Sequence, residues 1–435
     1  MTPNPTVISL FSGALGLDLG LEQAGFEIRA AVECNNQAAQ TLRLNRPKLA
    51  VIQKRIEMTT TDEILLSANL KVGEPTVVTA GPSCQAFSTA GRRGSIEDPR
   101  GTLFREFLRV VRESRPRFFV MENVRGVLSA AVRHRPLKKR GPGFPPLAPE
   151  EELGSAFMLI LEELKSTGYF VLFDLINAAD YGVPQTRERV LFIGSRDGEP
   201  VEMPARTHDR NGENTLKPWV TLGEGLLGLR DTRPQHTSFS KSEQKYLSRI
   251  PEGGNWRDLP KHSQPRAIGS AYRSWGGRSG FLRRLSWRKP SPSLTTAPDG
   301  KATMMCHPDK VRPLSVRQYA RIQQFPDHWK FAGGLPQKYR QIGNAVPVGI
   351  GKAIGGMLNK TIRENSQIHS LPTIICYNND LLSRISQRPK TILNPQRMRR
   401  IKSREAALKW LEKSNGLRSE ILRFSAQNPT QRNRI

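Results

Sequence analysis

The chain opens on an apolar run, VISLF at 7–11, followed at once by SGALGLDLG and a helix-like periodicity to about residue 24. Strand, glycine turn, helix is how an α/β unit begins. A second apolar run at 28–32 ends on Glu33, and a third, TVVTA at 76–80, leads into the loop GPSCQAFSTA. A helical pattern over about 102–114 precedes RFFVMENV, a strand ending at Glu122 and Asn123; a second helical pattern covers 155–166. Strand-like cores then recur in YFVLFDLINAADYG and RVLFIGS. Strands alternating with helices predict an α/β fold with a mostly parallel, Rossmann-like sheet, and polar residues at its strand ends mark where ligands bind.

After about residue 200 the pattern breaks into short segments rich in Gly, Pro and Trp, which predicts a smaller, loop-rich domain. Residues 230–290 hold 14 Lys or Arg against 4 acidic residues, with Trp256, Trp275 and Trp287 interspersed. A nucleic-acid-reading surface has this composition, and so does a basic β domain. Within it, Arg273, Arg278, Arg283 and Arg284 are candidates for guanine edges or phosphates. The small residues of QIGNAVPVGIGKAIGGMLNK (341–360) predict a helix that packs closely on the first domain. The expected division is therefore 1–199 catalytic, 200–311 recognition, 312–362 returning to the catalytic domain, and 363–435 a basic extension. From Arg384 that extension carries 14 basic and 3 acidic residues, with a helix expected at about 403–414. A basic, proline-rich stretch at 133–152 reads equally as a surface insertion or a phosphate contact.

Charge narrows the partners. Lys and Arg number 67 against 39 acidic residues, a formal +28, and an excess of that size favours a polyanion. The absence of long apolar runs and of a signal-like start predicts a cytoplasmic protein, nucleoid-associated, with no membrane partner. Four scattered cysteines, Cys34, Cys84, Cys306 and Cys376, have no zinc-site spacing, so no metal is expected.

FSGALGLDLG is neither a dinucleotide fingerprint nor a P-loop, yet its glycines suit close approach of a cofactor, and Glu33 can accept hydrogen bonds from ribose hydroxyls. S-adenosylmethionine fits such a site, although a plain tight turn is the other reading. Cys84 lies in a polar loop where no apolar period buries it, and it lacks the histidine that a thiol hydrolase would need. Its neighbour across a parallel sheet is the strand-end Glu122. A thiolate and a carboxylic acid facing a pyrimidine can activate C5, by addition at C6 with hydrogen bonding at N3. An arginine fork from QTRERV, Arg189 in preference to Arg187, would hold the ring carbonyl.

In order, FSGALGLDLG, GPSCQAFSTAGRRG, ENVRG, YGVPQTRERV, RPLSVRQYARIQQFPD and QIGNAVP resemble the blocks of the cytosine-C5 DNA methyltransferases of restriction–modification systems. The resemblance implies methyl transfer from S-adenosylmethionine to C5 of a cytosine flipped out of a short specific duplex sequence. It carries over Cys84 as nucleophile, Glu122 as the acid at N3, Asn123 as a hydrogen-bonding support, and Arg189 with Arg187 at the cytosine carbonyl. Phe11, Gly13, Leu15, Gly16, Glu33, Ile56 and Asn344 fall on cofactor positions. A monomer working beside a cognate restriction endonuclease is implied too.

Three departures stand out. Leu15–Gly16 replaces two glycines and could crowd the cofactor; Ser83 replaces a proline before Cys84; Arg55–Ile56 replaces an acidic residue before Ile. Other readings are an RNA cytosine-C5 methyltransferase, disfavoured by the long region 200–311, and a silent DNA-binding relative, disfavoured by retention of Cys84, Glu122 and Arg189.

Overall fold

A computed structural model describes residues 4–82, 103–364 apart from 137–138, 141–142, 200, 214 and 274–277, and the pair 374–375. Cys84, Ser83, Trp275 and the helix expected at 403–414 lie outside the described residues.

The strands of the central sheet are β1 (Thr6–Leu10), β2 (Glu27–Val32), β3 (Ala50–Ile52), β4 (Val77–Ala80), β5 (Phe118–Val124) and β6 (Phe170–Asn177). After a short strand β7 (Gln185–Thr186) comes β8 (Glu188–Ser195); β9 (His208–Asp209), β10 (Lys217–Pro218) and β11 (Ser291–Pro292) lie outside the sheet, and β12 (Ile374–Ile375) returns to it. The order is β12-β6-β8-β5-β4-β1-β2-β3. Every pairing is parallel except those of β8, which runs antiparallel to both β5 and β6. The reversal follows from chain length: about ten residues join β6 to β8, too few for a crossover helix. The sheet is thus mixed rather than uniformly parallel, and Arg189 arrives opposite Val124, beside Glu122.

Helices α1 (Gly16–Gln23), α2 (Asn36–Asn45), α3 (Thr61–Ala68), α4 (Leu103–Ser114) and α5 (Ser155–Lys165) connect these strands. Short helices α6 (Leu222–Gly225), α7 (Lys241–Leu247) and α8 (Gln264–Ile268) follow, then α9 (Val316–Ile322), α10 (Leu335–Asn344) and α11 (Val348–Glu364). The apolar face of α4, with Phe104, Phe107, Leu108 and Val111 buried, packs on one side of the sheet. The other side receives α1 and α11, which meet through glycine. A Cβ on Gly20 would overlap the Val348 carbonyl, and one on Gly351 the Leu17 carbonyl, so any side chain there would force the two helices apart.

Two further apolar clusters organise the second half of the chain. Leu222, Leu285, Leu294, Met305, Tyr319, Trp329 and Tyr339 share a core with Ala14, Leu15 and Leu19 of the first unit. A smaller core of Phe239, Leu247, Trp256, Leu259, Leu282 and Cys306 stands apart. Three of the four arginines proposed as base or phosphate readers are committed to holding this region together. Arg284 is buried and donates to the carbonyls of Pro308 (3.0 Å) and Leu247 (2.6 Å). Arg283 donates to the Met304 carbonyl at 3.0 Å, and Arg278 donates to the Ala271 and Tyr272 carbonyls beneath Trp256. Trp256 itself is buried. Arg273 is exposed. A loop-rich core has many backbone carbonyls without a sheet partner, and arginine forks satisfy them.

The basic stretch at 133–152 also pairs with itself. Arg133 meets Glu150 at 2.9 Å and Arg135 meets Glu151, which removes charge that a phosphate contact would use. This favours the surface-insertion reading.

Candidate active site

The parallel sheet edge gathers the chain's chemistry. The turn after β1 contains two non-glycine residues in the left-handed region, Phe11 (φ 54°) and Leu15 (φ 64°), with Gly13 (φ 54°) between them. Such backbone costs about 1–3 kcal/mol per residue and persists where the surroundings over-determine it, often at ligand sites. In front of Gly13 a Cβ would find only the Phe11 carbonyl, at 4.0 Å, so there is open space for a ligand. Glu33, at the end of β2, is buried; its two oxygens accept from the Gly13 amide at 2.8 Å and the Asn35 amide at 2.7 Å. Burial raises its pKa above the ordinary carboxylate range.

Leu15 does not crowd this space. Its left-handed backbone sends the side chain, 1 % exposed, into the core shared with Leu19, Leu42 and Tyr319. Gly16 is required for another reason: a Cβ there would overlap the Val346 carbonyl. The block after α10 is therefore seated on the turn, and the exposed Asn344 sits beside it. Ile56 opens a 3-10 turn and is buried in the cluster against which Phe11 packs. Arg55, in the position of the missing acidic residue, points outward and pairs with Glu57 at 2.8 Å.

Glu122 and Arg189 form an ion pair across β5 and β8, both 9 % exposed. Ala80 of β4 pairs with Met121 of β5, which starts the loop toward Cys84 one residue from Glu122. A Cβ on Gly81 would stand 3.5 Å from Glu122 Oε2, so the loop's first residue lies against the carboxylate. Asn123 Oδ1 accepts from the Val124 amide at 2.9 Å, bracing the strand end. Arg187 is directed elsewhere. It lies between β7 and β8, is 2 % exposed, and donates to the carbonyls of Leu294 (3.0 Å), Gly343 (2.7 Å) and Ala345 (3.2 Å). Its fork holds these backbone carbonyls.

Asp18, absent from the sequence reading, is buried on α1 beneath the turn. It accepts from Ser9 Oγ of β1 at 2.9 Å and Thr79 Oγ1 of β4 at 3.1 Å. It thereby links the strand that leads to the turn with the strand that leads to Cys84. A lone carboxylate on the apolar side of LDLGL was the available signal. Burial raises its pKa from 3.8 to about 6. Because the folded value is raised, the contribution of Asp18 to stability is fully present below pH 3.8 and is lost as pH rises through about 6. Asp18→Asn should flatten that loss, gaining on the order of 1–3 kcal/mol relative to the parent above pH 6.5. Thermal melts from pH 4 to 8 check this; parallel curves for the two proteins would contradict it.

Among the described residues no group of His, Cys, Asp and Glu could hold a metal, and no helix is long and apolar enough to cross a membrane. The Glu33 carboxylate, an acceptor beside the open space at Gly13, fits a nucleoside with free ribose hydroxyls.

Known proteins are similar to this chain in sequence and in fold. A model of the C-5 cytosine-specific DNA methylases matches residues 5–360. Type II methyltransferase M.Sau96I of Staphylococcus aureus is 37% identical over 360 residues, covering 81% of this chain and 75% of that protein. M.Eco47II of Escherichia coli is 38% identical over 356 residues, covering 80% and 78%. The fold is shared with a protein encoded within an E. coli prophage (TM-score 0.55, 24% identity, 82% of this chain and 99% of that one). It is also shared with S. pombe Dnmt2 methyltransferase (TM-score 0.52, 15% identity, 84% and 100%). The family match spans most of the sequence and its relatives are more than a third identical, so this chain belongs to the C-5 cytosine-specific DNA methylases, enzymes that transfer a methyl group from S-adenosylmethionine to C5 of cytosine in DNA.

Proposed function

We propose that Cys84 is the nucleophile and that Glu122 and Arg189 receive the cytosine edge. Glu122 hydrogen-bonds N3 and the exocyclic amine, while Arg189 donates to O2. The observation that carries this is the Glu122–Arg189 pair, buried at adjoining strand ends with Gly81 against it. A carboxylic acid offers one donor and one acceptor, which match N3 and the amine of cytosine; thymine presents the reverse pattern.

Cys84 Sγ forms a bond to C6, and the electron pair of the C5–C6 bond becomes available at C5. Glu122 and Arg189 stabilise the charge that reaches N3 and O2. S-adenosylmethionine supplies an electrophilic methyl group on a sulfonium. Once C5 is methylated, a base removes its proton, the ring double bond re-forms, and the Cys84 thiolate leaves. Phe11, Gly13, Glu33 and Asn344 hold the donor, with Glu33 accepting from the ribose, while Ile56, Leu15 and Gly16 support the turn from behind.

The substrate cytosine lies in a short specific duplex sequence and is flipped from the stack, since Cys84 and the methyl donor approach opposite ring faces. Residues 200–311, with their own small core at 239–306, read that sequence, and the protein acts as a monomer. The Type II names of the relatives support protection of host DNA beside a cognate endonuclease, in the cytoplasm at the nucleoid. The test is transfer of labelled methyl groups to mixed-sequence duplex DNA with base-resolution mapping of 5-methylcytosine. Label at one recurring motif is expected. Cofactor binding without label, or label on RNA alone, would overturn the reading.

A further inference from the structure

Behind Arg189 lies a polar network that the chemistry does not use directly. Gln185, on β7, and Gln323, at the end of α9, are completely buried. The Leu294 amide donates to Gln185 Oε1 at 2.8 Å, and Gln185 Nε2 donates to Gln323 Oε1 at 2.9 Å. Gln323 Nε2 in turn donates to the carbonyls of Ile342 (2.7 Å) and Ala345 (3.0 Å). Direction is fixed along this chain, because flipping the Gln323 amide would set its oxygen against two carbonyl oxygens. Arg187 closes the circuit from the other side. One arm takes the Leu294 carbonyl and the other the Gly343 and Ala345 carbonyls. Leu294 is therefore held at both its N–H and its C=O.

The segments joined are mechanically distinct. Leu294 follows β11, which pairs with β7 and so ties the 200–311 stretch to the catalytic unit; this tie is the recognition root. Gly343 to Val346 is the block seated on Gly16 at the cofactor turn. Arg187 stands two residues before Arg189, the partner of Glu122. We infer that Gln185, Arg187 and Gln323 form a joint that fixes the recognition root, the cofactor turn and the cytosine pocket at set distances, so that these three are positioning residues for methyl transfer. The inference rests on the function proposed above. An all-apolar joint would stabilise the contact about as well, but it would permit sliding; a directional hydrogen-bond chain through Gln185 and Gln323 admits one arrangement.

The test uses the full-length protein. Gln323→Leu keeps the volume and removes the side-chain donor shared by the two carbonyls. It should lower kcat on cognate duplex by about 10–100-fold, the effect of roughly 1 Å of misplacement, with DNA affinity within about threefold. Arg187→Lys, which keeps the charge but cannot span both carbonyl groups, should do the same. Gln323→Glu supplies the signature that mere folding damage would not. Ionised, it opposes the two carbonyls; protonated, its O–H can donate to one of them while its other oxygen accepts from Gln185. Its rate relative to the parent should therefore recover as pH falls from 8 toward 5.5. The inference is overturned if Gln323→Leu and Arg187→Lys keep kcat within twofold. It is equally overturned if kcat, DNA affinity and melting temperature fall together and Gln323→Glu shows no recovery at low pH. Parental protein that transfers no methyl group would instead remove the proposed function itself, which separates the two failures.

Discussion

Cys84→Ala is expected to lower methyl transfer by at least about 10⁴-fold while leaving duplex affinity within about tenfold. Cytosine C5 is a poor nucleophile until something adds at C6, and Cys84 is the group proposed to add there. Each tenfold is about 1.4 kcal/mol of barrier, so the thiolate is asked for about 5 kcal/mol or more. Affinity survives because phosphate and base contacts carry it. Single-turnover transfer of labelled methyl, alongside a gel-shift titration, measures both quantities. Methylation at the parental rate by the alanine variant would refute the nucleophile and the mechanism built on it.

Glu122→Gln is expected to slow the chemical step by about 10²–10³-fold, with the KM for S-adenosylmethionine unchanged. The amide keeps the shape but cannot deliver a proton to N3, and it leaves the largely buried Arg189 facing a neutral partner. Losing half of a buried pair costs more than losing both halves. Glu122→Gln with Arg189→Ala should therefore melt above the value expected from adding the two single changes, although its activity remains low. Pre-steady-state rates with saturating cofactor, and melts of all three variants, supply the comparison. An unchanged rate in Glu122→Gln would place the acid elsewhere.

Much of this site is legible in the linear sequence because parallel strands are buried on both faces and end in polar residues at one edge. VISLF before the glycine turn, VTAGP before Cys84, and VMEN each say where the edge lies, and β1, β4 and β5 sit side by side. Strand direction is less legible. The apolar run of 188–195 looks alike in either orientation, and only the short link from 177 distinguishes them. The stretch 36–68, with α2, β3 and α3, gave weak signals because NQAAQTLRLN and its neighbours carry few apolar positions. Arginine was the hardest residue to read. Arg187, Arg189, Arg283 and Arg284 have the same side chain, yet one faces a carboxylate and three support backbone carbonyls. Tertiary proximity decides that, and it has no local signature. Leu15 misleads for a related reason, since the cofactor cleft and the core lie on opposite sides of one backbone turn.

The glycine contact between α1 and α11 also sets when the protein can finish folding. Asn359 donates to the Ala24 carbonyl across 335 residues, and the described atoms nearest Gly16 and Gly20 come from the segment beyond residue 344. At about 5–20 residues per second, a ribosome needs on the order of 20–60 s to deliver that cover after α1 has emerged. Throughout that interval the nascent chain presents the uncovered apolar side of α1, a natural station for a chaperone. Closing so long a loop also predicts slow final folding in a refolding experiment. The cofactor turn, whose back is formed by Ala345 and Val346, takes shape only in that last step, so the ability to bind the methyl donor should appear once residues 345–364 have emerged.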